Sequence, residues 1–378
     1  MANTRVYYAT QAVALTPRDP GNQNNGTKQY PKGLQSVGVT TNFNLEQVFQ
    51  LGQLEIYDNV ENVPDVEVSL QKIADGSKFI YPICVEGSGG NTDVFGKDIG
   101  AVSTNRCEVE LRIYKDTSTD AFNGHDADAA AYGTVTCSGM YLSSVAYTIP
   151  VEGFITEDVT LVGNSKIYTN SASDGAGVGG EGADLGATLE PTKIGRRINL
   201  SDASVLPTGT LAGNQSDGLT KGSIAINTRT DGKGGRPYLQ NINVSMDLGR
   251  EAVFELGKFA PYARYATFPI EVSSEFEVLA ESHDQVQARD FDEVNACSTT
   301  EIKNLDDREI KIVICGKTPA TDNYIIDLGK KNKLTSVNFS GGDTGGGNAT
   351  ITYSYQTFNK FTVDASGTFL STSGQLVT

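Results

Sequence analysis

The sequence predicts a mainly β protein, and three observations carry that expectation. Glycine is abundant, at 41 of 378 residues, and Asn, Asp, Ser and Thr gather between short runs of alternating apolar and polar residues, the pattern of half-buried strands divided by turns. Helical periodicity is weak throughout. One stretch also occurs twice: LQSVGVTTNFNLEQVFQLG at 34–52 and LQNINVSMDLGREAVFELG at 239–257 match without a gap at an offset of 205. Eight of the nineteen positions are identical, namely Leu34/Leu239, Gln35/Gln240, Val39/Val244, Glu46/Glu251, Val48/Val253, Phe49/Phe254, Leu51/Leu256 and Gly52/Gly257. Typical residue frequencies give about one such identity by chance. Val37/Ile242, Thr40/Ser245, Asn42/Asp247 and Phe43/Leu248 are physically equivalent swaps, and Tyr57/Tyr262 and Pro64/Pro269 keep the offset further on. The chain is therefore read as two copies of one domain, expected at 1–207 and 208–378, each long enough to bury a core.

The elements follow in order. In the first half, alternation predicts strands near 34–43, 64–73, 105–114, 134–149 and 154–163, the last two joined by Pro150, Val151, Glu152 and Gly153 as a hairpin. Short helices are expected around 94–104 and 284–297. Residues 169–187, TNSASDGAGVGGEGADLGA, are almost without apolar content and read as a loop or linker. KIGRRINLSDASVLP at 193–207 closes the first half, and SIAINTR at 223–229 resembles the lead-in VYYATQAVALT at 6–16. The second half repeats the order, with strands near 239–248, 268–280, 308–315, 334–340 and 348–356. LSSVAYT at 142–148 corresponds to LTSVNFS at 334–340, so the hairpin is duplicated as well.

Composition removes several classes of function. Lys and Arg total 30 against 46 Asp and Glu, a formal net charge of −16, and a chain this acidic repels nucleic acid rather than gripping it. No run of 18 apolar residues occurs, and the opening MANTRVYYATQAVALTP lacks a basic-then-apolar signal pattern. Membrane insertion and secretion are therefore not expected, and the chain is expected to fold in a cytoplasm. The five cysteines, Cys84, Cys107, Cys137, Cys297 and Cys315, show no metal-ligand spacing and read as free thiols. Cys84, Cys107 and Cys315 sit in apolar or alternating runs that suit small core residues. The supply of acid/base chemistry is thin, with only His125 and His283 and no Trp.

No constellation points to catalysis or to a cofactor. Gly175, Gly177 and Gly180 form a literal G-x-G-x-x-G, but neither a strand nor a helix flanks it as a dinucleotide site requires. GGDTGGGN at 341–348 lacks the Lys-Ser/Thr of a phosphate loop and falls where a hairpin tip is expected. Asp116, Asp120, His125, Asp126 and Asp128 crowd one loop, which reads as a solvated acidic loop before a Ca²⁺ site. No serine sits in G-x-S-x-G, and no carboxylate pair has an apolar setting. What does recur is a strand with one acidic face. In PDVEVSLQKI, Val66, Val68 and Leu70 alternate with Asp65, Glu67, Ser69 and Gln71; in PIEVSSEFEVL, Ile270, Val272, Ser274, Phe276 and Val278 alternate with Glu271, Ser273, Glu275 and Glu277.

These stretches carry a family resemblance. The run LQSVGVTTNFNLEQVFQLGQLEIYDNVENVPDVEVSLQKI, the hairpin SSVAYTIPVEGFITEDVTLVGN at 143–164, RRINLSDASVLP, and LGREAVFELGKFAPYARYATFPIEV at 248–272 together resemble tail tube (major tail) proteins of tailed bacteriophages. The resemblance covers the core of both halves and contains no catalytic signature. It implies two tandem tail-tube-like β-sandwich or barrel domains, each with long hairpins joining an inter-subunit β-barrel around a channel. It implies a structural virion protein of the tail, made in the host cytoplasm, that stacks as rings and conducts DNA, with no enzymatic activity, no cofactor and no membrane. Duplication within one chain favours a trimeric, pseudo-sixfold ring over a hexamer. The expected partners are further copies of the chain, a sheath, baseplate or tail-terminator proteins, and DNA in non-specific transit. Asp65, Glu67, Glu271, Glu275 and Glu277 are the expected lumen-lining residues, and Glu46, Phe49, Leu51, Glu251, Phe254 and Leu256 the expected repeat or interface residues. A capsid-decorating, baseplate or adhesion β-sandwich protein is the alternative.

Overall fold

The structure is a computed structural model that describes residues 6, 8, 11–18, 28–75, 78–85, 98–114, 133–169, 238–280, 307–314, 324–342 and 347–364. The first-half strands are β1 (Gln11–Arg18), β2 (Leu34–Asn42), β3 (Leu45–Phe49), β4 (Ile56–Glu61), β5 (Asp65–Ile73), β6 (Arg106–Ile113), β7 (Gly133–Pro150), β8 (Thr156–Gly163) and β9 (Ser165–Thr169). Two short helices, α1 (Ile80–Val85) and α2 (Ile99–Val102), lie between β5 and β6. The second half contributes β10 (Tyr238–Asp247), β11 (Glu251–Val253), β12 (Ala263–Tyr265), β13 (Glu271–Leu279), β14 (Lys311–Ile314), β15 (Tyr324–Asp327), β16 (Lys333–Ser340), β17 (Thr350–Phe358) and β18 (Thr362–Asp364). The protein is mainly β, as its alternating sequence predicts.

One antiparallel sheet runs through both halves in the order β2-β5-β8-β7-β10-β13-β17-β16. The first four strands and the last four repeat the same arrangement, and their registers agree in detail. Val39 lies opposite Val68, and Val244 opposite Ser274. The β2·β5 ladder shifts between Leu34 and Ser36, the β10·β13 ladder between Leu239 and Asn241. Likewise the β7·β8 ladder shifts between Leu142 and Ser144, and the β16·β17 ladder between Leu334 and Ser336. Bulges are specific local features, so their recurrence at matching positions is a finer likeness than strand order. The equivalence is 205 residues on β2/β10 but 206 on β5/β13, because Asp65 and Glu271 begin the same alternation; the extra residue, Ile270, follows the cis Phe268–Pro269 bond.

One face of this sheet is apolar and covered. Val66, Val68 and Leu70 of β5, Val145, Tyr147 and Ile149 of β7, Ile242, Val244 and Met246 of β10, and Tyr353 and Tyr355 of β17 are all buried. α1, all of whose residues are buried, and the small sheet β14-β15-β18 supply the cover. Phe79 packs edge-on against Tyr147 at 5.4 Å and Tyr324 at 4.8 Å, and Tyr81 packs on Phe361 at 5.1 Å. First-half and second-half aromatics therefore share one core, and the described core cluster is continuous across both halves. β7 makes this possible by its length: its N-terminal part pairs with β6 and β9, its C-terminal part with β8 and β10.

Sequence reading missed several elements. The hairpins β3–β4 and β11–β12 escaped because neither has a buried face to impose alternation. α1 reads IYPICV, an apolar run too short and too uniformly buried for helical periodicity to be visible. Of the two expected helices, 94–104 contains α2, while 284–297 lies outside the described residues, as do the proposed linker beyond Thr169, the segments 193–207 and 223–229, and the boundary at 207. Cys84, Cys107 and Cys137 are buried free thiols; Cys297 and Cys315 lie outside the described residues.

Candidate assembly surface

Among the described residues the long sheet ends on two strands, β2 and β16, each paired there on one side only. Their core-facing residues are correspondingly undercovered. On β16, Phe339 is 48% exposed, whereas its equivalent on β7, Tyr147, is 1% exposed. Val337 is half-buried against a buried Val145. On β2, Val37 and Val39 are half-buried, while Ile242 and Val244 at the same positions of β10 are buried. The difference has one source: β7 and β10 cover each other, and their counterparts have no such neighbour among the described residues. Unpaired strands with apolar inner faces are templates for further pairing.

The opposite face of the sheet is polar. Asp65 and Glu67 on β5 and Glu271, Glu275 and Glu277 on β13 share this face, Glu277 half-buried and the other four exposed. Asp158 and Asp247 join them beside Ser144, Thr160, Ser245 and Ser273 around a shallow depression of about 430 Å³ where the two halves meet. The five carboxylates expected as one set therefore stand on one face, with an exception in kind. Asp65 takes a guanidinium hydrogen bond from Arg264 and amide hydrogen bonds from Asn44, at 2.8 Å, and Asn164, at 3.3 Å. It is a paired residue, and no sequence pattern within 34–73 could have revealed a partner almost two hundred residues away.

The expected interface residues lie on the two missed hairpins. Glu46 and Phe49 belong to β3, Glu251 to β11, and Leu51, Phe254 and Leu256 to the hairpin tips. Leu51 is 102% exposed, Leu256 105%, Phe49 64% and Phe254 61%. Gly52 and Gly257 take φ of 91° and 87°, the left-handed region in which glycine turns without strain. The tips match in conformation as well as in sequence.

Where β11–β12 lies against the first half it makes a polar clamp. Arg250 donates from Nε to the Leu142 carbonyl and from Nη1, at 3.1 Å, to the Arg264 carbonyl, and its guanidinium lies 5.3 Å over the Tyr141 ring. Burial pushes its pKa down to about 10. Arg264 reaches Asn164 Oδ1 at 3.1 Å as well as Asp65.

Among the described residues no group of three or more His, Cys, Asp or Glu is placed to hold a metal ion, and no helix is long and apolar enough to cross a membrane. The acidic loop at 116–128 and the 175–180 glycines lie outside the described residues.

No family model matches the chain, and no curated protein matches it. Among solved structures, a chain of the anti-feeding prophage baseplate, six-fold symmetrised, aligns over 45% of this chain and 98% of its own at 9% identity and a TM-score of 0.30. A chain from the tail of an empty gene transfer agent particle in C6 symmetry aligns over 44% of this chain and 99% of its own, at 12% identity and a TM-score of 0.26. A chain of the native gene transfer agent virion aligns over the same shares at 10% identity and a TM-score of 0.26.

Proposed function

We propose that this chain is a structural virion protein, a tail tube subunit of a tailed bacteriophage whose copies join edge to edge into rings that stack around a DNA-conducting channel. The observation that carries the proposal is the head-to-tail sheet. The first four strands meet the last four through β7 and β10, which leaves, among the described residues, the counterpart of β10 open at one end and the counterpart of β7 open at the other. Such edges are complementary to each other rather than to themselves, and a heterologous contact of this kind generates a ring when its rotation closes. Closure removes the edges. Two repeats per chain favour three chains, with eight strands from each and twenty-four in all. The polar face, with Glu67, Glu271, Glu275 and Glu277, would line the channel.

Negative-stain microscopy of the purified chain, with mass measurement of the smallest closed particle, tests this. Rings or filaments with a central hole are expected, at three chains per ring. A monomer or small compact oligomer without a hole would overturn the tube and favour a decorating or adhesion protein; six chains per ring would overturn only the trimer.

A further inference from the structure

The joint between the two halves is a template for the joint between two chains, and it specifies that joint residue by residue. Within the chain, β7 and β10 pair antiparallel with Ser144 opposite Asp247, Val145 opposite Met246, Ala146 opposite Ser245, Tyr147 opposite Val244 and Thr148 opposite Asn243. The β7·β8 and β16·β17 ladders equate Val145 with Val337 and Tyr147 with Phe339, and the repeated sequence equates Val244 with Val39.

We infer that β16 of one copy pairs with β2 of the next in the copied register, with Ser336 opposite Asn42, Val337 opposite Thr41, Asn338 opposite Thr40, Phe339 opposite Val39 and Ser340 opposite Gly38. This deepens the tube reading and rests on it. The half-exposed Phe339 then meets the half-buried Val39, as Tyr147 meets Val244, while Asn338 and Thr40, both exposed, stay on the polar face. A slip of one residue would turn every apolar side chain to the wrong face, so only displacements by two compete.

The same mapping says that the two joints differ in chemistry. The offset that pairs Leu248 with Phe43 places Leu45 at the position of Arg250 and Asn59 at that of Arg264. The β5·β8 and β13·β17 registers place Phe358, 50% exposed, at the position of Asn164. The arginine clamp of the internal joint is thus absent between chains, where the β3–β4 hairpin of the next copy would make an apolar contact at Phe358, flanked by Glu271 at the position of Asp65 and Lys333 at that of Tyr141. The internal joint adds guanidinium bonds to its main-chain pairing, whereas the joint between chains has the main-chain pairing and the contact at Phe358 without an arginine.

Cysteine cross-linking tests the register. The double variant Asn338→Cys/Thr40→Cys puts thiols on directly opposed residues, within the Cα separation that a disulfide spans; Asn338→Cys/Asn42→Cys is the displaced control on the same face. Oxidised assemblies of the first should run on a non-reducing gel as a covalent ladder that ends at the closed ring, and the control should remain single chains. Ser336→Cys/Asn42→Cys, opposed in the same register, should also form the ladder and serves if the first pair disturbs assembly. Rings that cross-link in the control but not in the opposed pairs, or in none of them, would overturn the register and leave the tube standing. If the unmodified chain forms no ring at all, the tube reading itself fails. Phe358→Asp should raise the concentration needed for ring formation several-fold without changing the monomer's melting temperature, and an unchanged threshold would overturn the apolar seal.

Discussion

A carboxylate removed from water has to find its donors in the protein, and Glu157 finds three. It accepts from the Ile80 and Tyr81 amides at 2.6 and 2.9 Å and from the Tyr147 hydroxyl at 2.8 Å, and so ties α1 to β8 and β7 beneath the sheet. Burial raises its pKa, while the three hydrogen bonds and Lys72 oppose the rise. Truncation to Ala would leave two buried amides and a buried hydroxyl unpaired. Glu157→Ala is therefore expected to cost about 2–4 kcal/mol in denaturant unfolding. The sign of the pH effect follows from the raised folded value: the stability linked to this proton is complete below the ordinary carboxylate pKa and is lost as pH rises through the folded one. Unfolding measured from acid to neutral pH should show wild type losing stability relative to Glu157→Gln, and a gap that widened the other way would contradict the assignment. Its counterpart in the second half, reached through the β17 register, is the apolar Ile351, so this anchor belongs to one repeat only.

Elements that share sequence can still differ in what they touch. The β3–β4 and β11–β12 hairpins have the same turn glycines and the same exposed tips, but only the second carries arginines, and only it lies across the other half. Arg264→Ala should lower stability by about 1 kcal/mol or less, because its partner Asp65 is half in water. The hairpin tips make a sharper test. Leu51 and Leu256 bury nothing within the chain, so Leu51→Asp with Leu256→Asp should leave the melting temperature of the monomer unchanged. Sedimentation velocity should nonetheless show fewer or shorter assemblies if the tips are covered by another copy, and an unchanged distribution would remove them from the interface.

At the scale of the whole molecule, charge and closure act together. Four exposed or half-buried glutamates per chain on one face, multiplied around a ring, would make a wall of one sign, and its field would reach only about 8 Å in physiological salt. A sliding duplex would be repelled near the wall and centred, not stopped. Glu67, Glu271, Glu275 and Glu277 changed together to Lys should leave rings intact and slow genome ejection, since each Lys gains a phosphate contact; ejection at the normal rate would show that this face does not line the channel. Asp65 is better left in place, because a Lys there would stand beside Arg264 and disturb the internal joint.

Alternation in PDVEVSLQKI and PIEVSSEFEVL was enough to assign their two faces, because a strand's side-chain period is fixed by backbone geometry and needs no partner to be read. The repeat of LQSVGVTTNFNLEQVFQLG was legible for a similar reason: identity along a chain is visible without coordinates. Burial without alternation was not. α1, with every residue covered, and the exposed β3 and β4 carry no periodic signal, the first because all sides meet protein and the others because neither face is buried. Nor could sequence foresee which strands would meet. That β7 lies against β10, that Arg264 crosses to Asp65, and that Phe361 and Tyr324 fill a core with Phe79 and Tyr81 are pairings over long separations. The sequence by itself determined the alternating strands and their faces. The order of the strands, the open edges at β2 and β16 and the single shared core were decided only in the folded chain, where each strand's second neighbour is chosen by packing rather than by its own residues.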